Sequence, residues 1–136
     1  MRIKKVSKNQ YILRLERGEE IIKTVEDFLK KEKIASGILW GLGAVDFARL
    51  AHYRVDKKEY SEESFKEPLE IASLFAVITR EGLHPHAVFS DSEMHAFGGH
   101  LKEARVAATC EIIVHKGRAK ISRKYSEEIG LKLLEI

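Results

Sequence analysis

The chain has 136 residues, 44% of them hydrophobic and 33% charged. That balance suits one globular domain and excludes a disordered or collagen-like chain. Twenty-four basic and 21 acidic residues leave a net charge of +3, which permits anionic partners without requiring them.

Residues 11–16 alternate and are rich in β-formers, which predicts a first strand. Gly18 breaks it. Residues 19–33 set Ile21, Ile22, Val25, Phe28 and Leu29 on one stripe, the pattern of a long amphipathic helix. Glutamates at its start and lysines at its end match the helix dipole.

Residues 36–45 (SGILWGLGAV) are apolar and punctuated by glycine, as in a buried strand with a bulge. A second strand is expected over 46–55, a polar hairpin turn over 56–59 and a short return strand over 60–67. LEIASLFAVIT at 69–79 is the strongest buried-strand signal. Glu81-Gly82 turns the chain into a strand over 83–90. A turn at 91–93, a short strand at 94–97 and a sharp bend at Gly98-Gly99 follow. VAATCEIIV at 106–114 is a long apolar strand, and the closing LKLLEI reads as a last one. The expectation is a single α+β domain over 1–136, with a mainly antiparallel sheet of several short strands and one long amphipathic helix.

Gly41-Leu42-Gly43 matches only part of a dinucleotide-binding loop, because Asp46 stands at the third glycine position. The single cysteine, Cys110, cannot form an intrachain disulfide and suits a reducing interior. No apolar run reaches the ~18–20 residues of a membrane span, and no signal-peptide core follows the charged first residues. A cytoplasmic protein without a membrane partner is expected.

Four of the six histidines fall between residues 84 and 100. His84-Pro85-His86 on a strand would project both imidazoles from one face. Two neutral imidazoles can share a divalent ion, and zinc asks for further N donors at ~2.0–2.1 Å. A bend at Gly98-Gly99 would bring His100 back as a third ligand. Three histidines and one open position can lower the pKa of bound water to ~7. Glu103, three residues beyond His100, is the candidate catalytic base or hydrogen-bond partner to that water. His95 is a reserve ligand. Packed histidines without a metal are the alternative.

Five blocks in order resemble the PPC (plant and prokaryote conserved) domain family. They are YILRLERGEE (11–20), GLGAVDFARLAHY (41–53), EPLEIASL (67–74), HPHAVFSD (84–91) and GGHLKEARVAATCEIIV (98–114). The resemblance implies a compact domain that assembles as a homotrimer. It also implies that His84, His86 and His100 match the family's metal-binding histidines, usually taken as zinc, and that the chain has a DNA-associated or regulatory binding role. The Arg-Gly-Arg-Pro core of the AT-hook is absent; Lys116-Gly117-Arg118-Ala119 shares only Gly-Arg.

Lys116, Arg118, Lys120, Arg123 and Lys124 form the densest basic run, and Arg2, Lys4 and Lys5 could extend it. Such residues would give salt-sensitive, sequence-tolerant phosphate contacts. Only Tyr125 neighbours the run, so base stacking on a single strand has no platform. The apolar stretches 41–45 and 106–114 are candidate trimer contacts. Three functions follow: a homotrimeric zinc-binding module with a DNA or protein partner, a zinc-dependent enzyme using Glu103, or a structural assembly domain.

Overall fold

Period-two burial dominates this chain: in 11–16 the buried Tyr11, Leu13 and Leu15 alternate with exposed Ile12, Arg14 and Glu16. The computed structural model describes residues 1–136. The elements are β1 (Arg2–Ser7), β2 (Gln10–Glu16), α1 (Ile21–Lys31), β3 (Gly37–Arg54), β4 (Glu59–Phe65), β5 (Leu69–Thr79), β6 (Gly82–Ser90), β7 (Ala96–Lys116), β8 (Ser122–Ser126) and β9 (Leu131–Glu135). All strand pairings are antiparallel.

The expected α+β fold with a long amphipathic helix is corrected here. Strand makes up 66% of the chain and helix 8%, so the fold is sheet-dominated. α1 has 11 residues. Glu20 caps it from outside, its carboxylate accepting from the Ile22 and Lys23 amides. Glu32 closes it, and Lys33 takes a left-handed φ of 52° that no helix continues. The expected short strands are corrected too. The strands expected over 36–45 and 46–55 are one 18-residue strand, β3, and Ala96, Phe97 and residues 106–114 belong to the 21-residue β7. β1 was not foreseen, because its charged residues are all exposed at a sheet edge.

Length lets β3 and β7 each serve several partners. β3 pairs with β5, β5 with β6, β6 with β7, and β7 with β3, so these four strands close a circuit. The long strands bend to do so. Register shifts mark the bends, one of them between Gly41 and Gly43, where the sequence predicted a bulge. The buried face holds Leu39, Val45, Leu74, Phe89, Val106 and Ile112, all in one cluster. Burying each such side chain contributes about 1.5–3 kcal/mol. α1 adds Val25, Phe28 and Leu29 to the same cluster, and Phe28 meets Tyr11 edge-on at 5.3 Å. Buried Cys110 faces Leu15 across the β2–β7 pair, and burial pushes its thiol up to about 12.

Gly98 and Gly99 do not make the expected bend; both lie within β7. Close strand approach explains them. A Cβ on Gly98 would stand 2.4 Å from the Ala87 carbonyl oxygen. β8 and β9 form a separate hairpin. It is tethered by Tyr53 Oη donating to the Ile129 carbonyl at 2.7 Å and by the Arg80 amide donating to the Ile121 carbonyl at 3.2 Å.

Gly98→Ala should cost about 1–3 kcal/mol, because the added carbon must push β6 from β7. A urea midpoint equal to that of the wild type would contradict the close-approach explanation.

Candidate metal centre

β6 carries His84 and His86 two residues apart, with Pro85 between them buried. Alternation therefore turns both imidazoles to the outer face. His100 arrives through strand pairing: it is the register partner of His86 across β6–β7, and of Ala51 across β3–β7. Directly paired residues stand on the same face, their Cβ atoms ~4.5–5.5 Å apart.

The rings are mutually close. Centroid distances are 5.2 Å for His84–His86, 5.3 Å for His84–His100 and 5.4 Å for His86–His100. One nitrogen of each lies within 4.8 Å of the others. Nitrogens around a tetrahedral zinc stand roughly 3.3 Å apart, given bonds of ~2.0–2.1 Å. Side-chain rotation covers that difference. His100 Nδ1 is buried and has no hydrogen-bond partner, which leaves it free to act as a ligand atom. These residues fit a divalent metal of intermediate softness, which imidazole nitrogens suit.

Burial favours the neutral form of two of these histidines. Burial, with the Lys102 charge second, lowers His100 to about 4. Burial and then the Arg123 charge lower His84 from its ordinary value. A neutral imidazole offers the lone pair that a metal needs.

Glu103 is placed elsewhere. Arg49 Nη2 donates to its carboxylate at 3.0 Å, and the two residues are ladder partners. A register shift beside them leaves Lys102 unpaired and turns Glu103 outward. Glu103 is not in the three-histidine group. His95 is likewise apart. Its Nδ1 lies 3.3 Å from Asp91 Oδ2 in the 91–95 turn, whose Glu93 and His95 amides donate to Asp91 Oδ1.

The basic run is divided. Lys116 ends β7 half-buried, Arg118 and Lys120 are exposed in the connection, and Lys124 is exposed on β8. Arg123 turns away from these. Its Nη2 lies 3.3 Å from His84 Nδ1, and its Nη1 donates to the Lys132 carbonyl at 3.2 Å. The sequence reading missed this link between tail and histidines. It also missed Tyr60, whose ring stands 5.8 Å from that of His100. Neither has a local signal, since 39 residues separate Arg123 from His84.

The Plants and Prokaryotes Conserved (PCC) domain matches residues 2–117. The chain belongs to this family. Solved structures agree with the PCC fold. A conjectured DNA-binding protein from Bacteroides thetaiotaomicron superposes with a TM-score of 0.93 at 30% identity, covering 98% of this chain and 96% of that one. A metal-containing protein from Archaeoglobus fulgidus gives 0.84 at 28% identity, covering 99% and 96%. A plant- and prokaryote-conserved protein from Pyrococcus horikoshii gives 0.85 at 29% identity, covering 99% and 94%. No curated protein matches the chain. No helix of this PCC domain is long and apolar enough to cross a membrane.

The lowered His100 value has a signed consequence for the metal-free protein. The unfolded imidazole titrates near 6.5 and the folded one near 4. Between these values the unfolded chain binds more protons, so stability falls as pH drops through that window. His100→Asn should flatten the fall in urea midpoint from pH 6.5 to pH 4 relative to the wild type. An NMR midpoint for His100 near 6.5 in the metal-free protein would refute the assignment.

Proposed function

We propose that this PCC domain is a homotrimeric metal-binding module, zinc being the first candidate ion, with a DNA-associated or regulatory role. The observation that carries the reading is the nitrogen set of His84, His86 and His100, mutually within 4.8 Å on one sheet face. The three histidines would hold the ion as neutral donors. A bound ion would supply Lewis acidity and a fixed positive charge at the outer surface. That a relative from Archaeoglobus fulgidus is a metal-containing protein supports metal binding as such.

Assembly is supported by the outer face itself. Register sets His100, His86, Phe75, Trp40, Ile113 and Ile12 in one row across five strand pairings. Phe75 is 46% exposed, Ile12 41% and Trp40 39%. An apolar band of this kind on a sheet face marks an association surface. Within 106–114, Val106, Cys110, Ile112 and Val114 point into the chain's own core, and Ile113 lies in the band. Exposed Arg118, Lys120 and Lys124, with Lys116, are the candidates for phosphate contact. The conjectured DNA-binding relative supports that partner class. The binding reading is preferred to the enzymatic one because the Glu103 carboxylate is held by Arg49 rather than by the histidines.

Elemental mass spectrometry of protein prepared without a metal-affinity tag tests the site. About one zinc per chain is expected after zinc addition and dialysis. His84→Ala, His86→Ala and His100→Ala should each lose it, and retention of the metal by all three would refute the ligand set.

Light scattering tests the assembly. The wild type should run as a trimer, and Trp40→Glu, which sets a charge in the apolar band, should shift it to smaller species. A wild-type monomer at micromolar concentration would contradict the trimer.

A further inference from the structure

We infer that the metal-loaded three-histidine site takes a small oxyanion, a carboxylate or phosphate group, with Arg123 as its second anchor. The inference rests on the metal-binding reading above and adds a ligand class to it. Arg123 lies outside residues 2–117, where the family match ends, and belongs to the separate β8–β9 hairpin. Its guanidinium nevertheless reaches the histidines, 3.3 Å from His84 Nδ1.

Charge bookkeeping points to an anion. Three imidazoles bring no negative charge, and no carboxylate belongs to their group. A divalent ion held there keeps its full charge. Arg123 adds another positive charge alongside. Five of the nine arginines in the chain pair with a carboxylate, among them Arg49 with Glu103 at 3.0 Å and Arg105 with Asp46 at 2.7 Å. The Arg123 guanidinium instead bonds to the Lys132 carbonyl and His84 Nδ1, while the Glu81 carboxylate accepts from the Arg123 backbone amide. The Nδ1 lone pair cannot accept from the guanidinium and ligate an ion together. Where Nδ1 ligates, one arm of the guanidinium is released beside an open metal position. An oxyanion satisfies both, with one oxygen on the ion and another accepting from the planar fork.

The sign of the metal linkage follows from the same charges. Without an oxyanion, Arg123 opposes the ion by repulsion and by holding His84. With one, it favours the ion through the shared ligand.

Chelator competition for zinc, read by absorbance, tests this with wild type, Arg123→Ala and Arg123→Lys. Each is measured in chloride buffer alone, with acetate, and with methylphosphonate. In buffer alone Arg123→Ala should hold zinc several-fold more tightly than wild type. Oxyanion should raise wild-type zinc affinity about tenfold, a charge-assisted contact's worth, with little gain in Arg123→Ala and an intermediate gain in Arg123→Lys. A gain with acetate alone assigns the carboxylate class, and one with methylphosphonate alone the phosphate class. No gain with either, or an equal gain in Arg123→Ala, overturns the inference and leaves zinc binding standing. Failure of the wild type to take zinc overturns the metal-binding reading itself.

Discussion

The β6–β7 pairing is the constraint on which the rest depends. It closes the circuit β3–β5–β6–β7 and sets His86 opposite His100. Gly98 makes the pairing possible by letting the strands meet where a Cβ would strike the Ala87 carbonyl. Phe89 and Leu101, fully buried, hold the two strands from the inner side. A shift of one residue would turn every imidazole on the moved strand toward the core. The histidines are thus fixed by the same ladder that encloses the apolar interior.

Much of the sheet was readable because burial alternates. The 69–79 stretch coincides with β5, and the turns near 56–59 and 81–82 fall where polar residues and glycine put them. Length was not readable. A bulged strand loses its alternation at the bulge, so β3 and β7 looked like several pieces. The helix was overdrawn because Glu19, Glu20, Glu32 and Lys33 carry helix-compatible chemistry, yet Glu20 and Glu32 act as caps. His84 and His86 were readable from spacing alone. His100 joins them through strand pairing and not through the expected bend. Arg123 lay hidden because a tethered hairpin's position depends on contacts such as Tyr53 with Ile129, which no local pattern encodes.

Both faces of the sheet have distinct tasks. The inner face holds a continuous apolar cluster closed by α1. The outer face sets exposed apolar side chains and the three histidines in neighbouring register rows, with Val77 opposite His84 and Phe75 opposite His86. The proposed metal and assembly surfaces therefore adjoin. Association along the apolar band would exclude water beside the imidazoles, which strengthens the electrostatic interactions there.

X-ray absorption at the zinc edge of the loaded protein addresses the three-imidazole site most directly. Three imidazole shells with nitrogens at ~2.0–2.1 Å are the expected result, with no zinc signal left after dialysis of His100→Ala. A spectrum with one imidazole or none, or one unchanged by His100→Ala, would contradict the site that the β6–β7 register builds.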